Sequence, residues 1–360
     1  MEEATSEFPL FALNTIYINE TFDAGNASSG TGTDSSFGYC DTYLKPFAKS
    51  YSTLHGYNSL IICLFGVHAN ILNLIVLSRK EMRNPTNAIL TGLAVADLAN
   101  MILLPKTNSY EWAAYVLIHS NFSQVLHTTS IWLAVTLAVW RYVMVTRYRE
   151  SKIICSMKRA QKAVIAAYIF SVVLCTPIYF SFAVKPIQNM GDKENSPIYV
   201  VNVSDLAIKY PMLKTTNFWL YSVVIKMIPC AIFTILFMPH IFERQGGRAS
   251  FSFEAFGSDS TTRMLLAILF LFLIAEFPQG LLGLMSGVLG DEFFNSCYIP
   301  LGDLMDFVAL LNSSINFILY CTMSEKFRET FVKVFRLNGI ARLFRRQSTS
   351  RIMYEDTHTA

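Results

Sequence analysis

The chain has 360 residues, 52% of them hydrophobic and only 15% charged, with mean hydropathy +0.37 and a net charge of +3. That balance excludes an ordinary soluble protein of this size and points to several membrane spans. A net charge so near zero also gives no electrostatic case for a nucleic-acid partner.

Residues 1–55 are polar, rich in Gly, Ser and Thr between Ala24 and Ser36, and read as a disordered outer tail. Asn19 and Asn26 open N-x-S/T acceptor sequences, so the tail is expected to be glycosylated. No charged-then-apolar leader opens the chain, and the first span is expected to act as the insertion signal. Seven apolar segments follow, near 56–78, 87–108, 113–146, 161–183, 217–239, 262–286 and 300–322, each close to the ~20 residues a helix needs to cross a bilayer. The predicted fold is therefore all-α: a seven-transmembrane helix bundle over 56–322.

Basic residues set the orientation. Apart from Arg141 and Lys226, twenty Lys and Arg lie in or at the edge of the first, third and fifth connections and in the C-terminal tail, against seven on the other side. The excess belongs inside, so the N-terminus is expected outside and the C-terminus inside, in the plasma membrane. The longest outer connection, 184–216, carries a third glycosylation sequence at Asn202. After the last span, residues 323–336 place Phe327, Phe331 and Phe335 on one helical face and charges elsewhere. That pattern predicts an amphipathic eighth helix on the cytoplasmic surface. The remaining 337–360 form a cytoplasmic tail in which Ser348, Thr349 and Ser350 offer phosphorylation sites, whose phosphates would present a negative patch to the Arg or Lys residues of a partner.

Polar residues inside the spans carry the functional reading, because such groups are costly at membrane depth and face the bundle interior or a cavity. Asp303 and Asp306 share a face of the outer half of the seventh span. Lys226 and Glu276 lie near the middle of adjacent spans, where a salt bridge and a neutral, unpaired alternative both remain open. Gln124 and His127 sit at cavity-facing spacing in the third span. With the four charged residues they form a candidate ligand site. Of seven cysteines, only Cys40 and Cys297 fall plainly in the oxidising exterior, which predicts a disulfide between them.

The order and spacing of Asn70, Asp97, Arg141-Tyr142, Pro229, Pro278 and Asn316 with Tyr320 resemble the rhodopsin-like (class A) G-protein-coupled receptors over roughly 55–336. More narrowly, HGYNSLIICLFGVHANILNLIVL, IKMIPC, FPQGLL and CYIPLGDLMDFVALLNSSINFILYC resemble invertebrate FMRFamide and myosuppressin-type neuropeptide receptors. The resemblance implies a peptide ligand, often ending in Arg-Phe-amide, and a heterotrimeric G protein engaged through Arg141 and Tyr142. It also implies a sodium ion as modulator at Asp97, with Ser130, Asn312, Ser313, Asn316 and Tyr320 completing the switch. Departures are clear: Trp140 replaces the usual acid before Arg141, Glu276 the usual aromatic, and Phe317 the usual proline. No cysteine lies between 64 and 154, so the usual bridge from the third span to the second outer loop cannot form.

Against these readings stand two others. An enzyme is disfavoured, because no H-E-x-x-H, clustered His/Cys set or paired aspartyl-protease motif is present. A polytopic transporter relaying charge through Asp97, Lys226, Glu276 and Asp306 is the alternative, opposed by the absence of an internal repeat.

Overall fold

A computed structural model describes residues 40–99, 109–146, 150, 153–187, 198–244 and 260–337. Seven helices occupy the seven predicted spans: α1 Asp41–Leu77, α2 Pro85–Ala99, α3 Tyr110–Thr146, α4 Met157–Leu174, then α5, α6 Ser260–Leu289 and α7 Gly302–Met323. The fifth, α5, passes through three consecutive parts: Pro211–Trp219, a π-helical stretch Leu220–Met227, and Ile228–Arg244. Five of the seven are long and apolar enough to cross a membrane by themselves; the apolar part of α2 is shorter, and α4 carries its charges in its first two turns. An eighth helix, α8, covers Glu325–Phe335.

Two boundaries differ from expectation. α1 begins at Asp41, inside the segment expected to be a disordered tail. It continues through Pro46 because a ladder of side chains four residues apart gives it one packed face: Phe47 stacks on Tyr51 at 5.8 Å, and Tyr51 meets His55 at 5.8 Å. Between α4 and α5, residues expected to end a span or form loop make an antiparallel hairpin instead, β1 Phe182–Ile187 with β2 Ile198–Val203. Six β-branched residues among the twelve suit that structure. The hairpin lies against α3, and in place of the missing bridge Tyr110 at the start of α3 meets Tyr199 edge to face at 5.4 Å.

Two clusters form the core. One joins Leu133 and Leu137 of α3 to Ile89, Leu90 and Leu93 of α2, and to Tyr320 and Phe327 at the α7–α8 junction. The other joins α3 to α5 and α6 around Phe233 and Phe272, whose rings cross at 4.9 Å. Helices α2 and α4 come closest at Gly92, where an added Cβ would sit 2.9 Å from Val164 Cγ1. Tyr168 Oη ties the same point by donating to the Gly92 carbonyl at 3.0 Å.

The turn from α7 into α8 is capped at both faces. Ser324 Oγ accepts from Phe327 N, and Arg328 donates to the last carbonyls of α7 at Cys321 and Thr322. α8 buries Phe327 and leaves Lys326 and Glu329 exposed. Its Lys333 reaches the turn after α1, meeting Glu81 at 2.9 Å, and that bond holds the Glu81 carboxyl below its ordinary value.

Candidate functional site

Three helices bring charge together at the centre of the bundle. The π-helical part of α5 turns Ser222, Ile225 and Lys226 inward together. A π turn holds more residues than an α turn, so it rotates the face of the helix that follows. α6 admits this bulge because Gly280 lies opposite: a Cβ there would fall 2.8 Å from Lys226 Cβ. Two turns on, Gly287 gives the same room to the Phe218 ring. Glycines at such spacing let helix backbones approach in a membrane.

Lys226 is fully buried and Glu276 is 1% exposed. The Lys226 ammonium donates to Glu276 Oε2 and, at 2.9 Å, to His127 Nε2 on α3. An ammonium can only donate, so His127 accepts on Nε2 and carries its proton on Nδ1. The 3.4 Å approach of His127 Nε2 to Glu276 Oε2 is then a close contact rather than a second proton bridge. The Tyr221 ring stands 5.3 Å from the ammonium and adds a cation–π contact. Glu276 Oε1 has no hydrogen-bond partner among the described residues.

A second acidic group lies on α7. Asp303 occupies its first turn, where a carboxylate complements the positive end of the helix. Asp306, one turn further, is 7% exposed, and its Oδ1 has no hydrogen-bond partner among the described residues. Both acids act on Tyr51 of α1: burial first, then Asp303 and Asp306, raise its phenol above the ordinary value. His55 is buried on the same face, within reach of Asp303, and its Nε2 approaches Ser59 Oγ at 3.4 Å. Tyr221 lies within electrostatic range of both Glu276 and Asp306.

A disulfide joins Cys40 and Cys297, with Cα atoms 5.2 Å apart. It pins the start of α1 to the segment leading into α7. Thus Tyr51, His55, Asp303 and Asp306 sit beneath a covalent clasp.

The remaining predicted residues divide. Gln124 is buried but spends its amide on Thr128 of its own helix at 3.5 Å, and Thr128 meets Cys175, which caps α4. It belongs to the α3–α4 contact. Asn316 and Tyr320 are buried and Asn312 is half-buried on α7; the Ser313 carbonyl accepts from Asn70 of α1 at 3.1 Å. Ser130 is half-buried on α3, and Tyr142 is exposed near its end. Asn202 lies on β2, its Oδ1 accepting from the amide of Val203. The side chains of Asp97 and Arg141, together with Asn19, Asn26, Ser348, Thr349 and Ser350, lie outside the described residues. Sequence reasoning did not single out Tyr51, His55 or Gly280. The four-residue spacing of Phe47, Tyr51, His55 and Ser59 was the available signal for the first two.

The profile of the serpentine-type 7TM GPCR chemoreceptors Srw matches residues 57–338. The chain belongs to this receptor family. Among similar proteins, the G-protein coupled receptor dmsr-1 of Caenorhabditis elegans is 30% identical over 84% of this chain and 71% of its own length. The Sex peptide receptor of Drosophila melanogaster is 25% identical over 89% and 82%, and the FMRFamide receptor of the same species 23% identical over 78% and 54%. The protein is therefore a multi-pass membrane receptor, neither an enzyme nor the transporter held as the alternative.

Proposed function

We propose that this receptor binds a cationic, C-terminally amidated peptide of the Arg-Phe-amide or myosuppressin type. In this reading it sits in the plasma membrane with its N-terminus outside and activates a heterotrimeric G protein. The observation that carries the reading is Asp306: a buried carboxylate with a spare oxygen, in a bundle whose centre holds a second spare carboxylate oxygen on Glu276. A guanidinium presents paired donors that suit such oxygens, and a terminal amide adds no negative charge beside them. Two of the similar receptors are named for peptides, one of them FMRFamide, which supports the same ligand class.

On the inner side, Arg141 and Tyr142 engage the G protein, α8 rests on the membrane surface, and arrestin reads the phosphorylated tail. A sodium ion fits the oxygen-rich set Asp97, Ser130, Asn312, Ser313 and Asn316 by ligand type. Glycans on Asn19, Asn26 and Asn202 belong to the outward orientation.

The test is nucleotide exchange on a G protein reconstituted with the purified receptor. Amidated Arg-Phe peptides should stimulate exchange and their free-acid counterparts should not. Arg141→Ala should retain peptide binding and lose exchange. Stimulation confined to neutral or acidic peptides would overturn the assignment.

A further inference from the structure

Away from the charged centre, the bundle has an open groove on its outer face between α2 and α4. Its volume is about 670 Å³. Leu77, Ala88, Val164 and Ile165 give it an apolar wall, while Arg83 and Gln161 stand at its mouth. Beside Val164, α2 and α4 approach at Gly92, whose carbonyl accepts from Tyr168 Oη. Ile165 is 60% exposed, so the groove opens sideways from the bundle, where a membrane lies, and not into its interior.

Its depth can be read from α1. The apolar crossing stretch of that helix ends at Leu77, and the groove begins there. The mouth therefore lies at headgroup level and the apolar wall runs toward the hydrocarbon. Arg83 is held in place by a braced turn: Asn84 Oδ1 accepts from Asn87 N, and Asn87 Nδ2 donates to the Met82 carbonyl, both at 2.7 Å.

The surrounding charge is of one sign. Arg79, Lys80 and Arg83 are exposed on the turn, and Lys158, Arg159 and Lys162 are exposed on the first two turns of α4. The carboxylate within this turn, Glu81, is bound to Lys333. A basic mouth over an apolar slot between membrane helices suits one class of molecule, a lipid with an anionic head. A sterol or a zwitterionic lipid would fill the slot and leave the basic residues without a counter-charge.

We propose that this groove is a binding site for an anionic phospholipid. Its phosphate meets Arg83 and the basic first turns of α4, and one acyl chain lies along Val164 and Ile165 toward Gly92. The orientation proposed above only names the leaflet, the cytoplasmic one; the binding does not depend on it, nor on the identity of the peptide.

Native mass spectrometry of the full-length receptor, titrated with phosphatidylserine or phosphatidylcholine of the same chains, tests this. The native receptor should retain phosphatidylserine about tenfold more strongly. Arg83→Gln combined with Lys162→Gln should abolish that preference, and Lys185→Gln combined with Lys209→Gln, an equal charge change in the connection between α4 and α5, should leave it intact. Ile165→Trp, which fills the slot from its exposed rim, should reduce retention of both lipids. Thermal melting in phosphatidylcholine shows whether each variant is folded, and a variant that does not fold is replaced by Lys158→Gln with Lys162→Gln. Equal retention of the two lipids by the native receptor, a selectivity unchanged in the charge variants, or displacement of phosphatidylserine by a sterol would overturn the proposal.

Discussion

Lys226 of α5 and Glu276 of α6 meet side chain to side chain in the centre of the bundle, with His127 of α3 on the same ammonium. One buried pair thus ties together three helices. Removing one partner of such a pair leaves an uncompensated charge and costs about 3–5 kcal/mol, whereas replacing both with apolar groups is often neutral. Lys226→Met and Glu276→Leu should each lower the melting temperature of the purified receptor sharply. The double variant should recover most of the loss. Additive losses would mean that the two side chains act independently. The same variants bear on signalling, because the pair spans α5 and α6: each single change should alter exchange in the absence of peptide more than any change at Lys185 of the hairpin, which is half-buried and paired with Asp205.

Gly280 makes that contact possible. With a Cβ only 2.8 Å from Lys226 Cβ, alanine at this position would force α5 and α6 apart or rotate the π-helical segment. Overpacking of this kind costs about 1–3 kcal/mol. Gly280→Ala should therefore destabilise the receptor, and Gly302→Ala, where a Cβ meets nothing within 4 Å, should not. Combining Gly280→Ala with the apolar double variant should cost less than the sum of the two, since loss of the Lys226–Glu276 bond frees the π-helical segment to shift away from the added methyl group.

The clasp at the outer rim invites a different measurement. Cys40 and Cys297 are 257 residues apart in sequence, so in the chain-entropy view their bond closes a very long loop. The other helix contacts already restrain much of that loop, and the expected gain is about 2–4 kcal/mol. Cys40→Ser with Cys297→Ser should increase hydrogen exchange in residues 41–53 while leaving the lower turns of α1 protected. Unchanged exchange in 41–53 would show that the Phe47–Tyr51–His55 ladder suffices without the bond.

What could be read from the chain follows from how strongly each signal stands out from its background. Asp303, Asp306, Lys226 and Glu276 were legible because charge in an apolar run has few uses. The link from Lys226 to His127 was not, because it depends on the rotation of α5, which a π-helical turn changes without any marker residue. The start of α1 was hidden by the polar residues between Phe47 and Ser59, although their four-residue spacing was present. The hairpin was lost because Phe182 and Ala183 extend an apolar run that resembles the end of α4. Gln124 had the spacing of a cavity residue, but Thr128, four residues on, satisfies it within its own helix.

The ligand's anchor is the most demanding prediction. Asp306 has one carboxylate oxygen without a partner among the described residues and lies one helical turn from Asp303, which is more exposed. If the peptide's penultimate arginine docks at Asp306, Asp306→Ala leaves a desolvated cation unpaired and should cost about 2–5 kcal/mol of affinity. Asp303→Ala should cost less, because that group remains partly in contact with solvent. Replacing the arginine of the peptide with citrulline removes the charge but keeps the shape. Against the citrulline peptide, Asp306→Ala should have little further effect, and the cycle should show a coupling energy of more than 1 kcal/mol. Should Asp306→Ala lose as much affinity for the citrulline peptide as for the native one, Asp306 serves the α1–α7 structure and the arginine docks elsewhere. Glu276 is the next anchor to examine, since its Oε1 is also without a partner, and Glu276→Gln retains the shape and a donor–acceptor group. A coupling that moves from Asp306 to Glu276 in this cycle would place the arginine one level deeper, against the Lys226 pair itself.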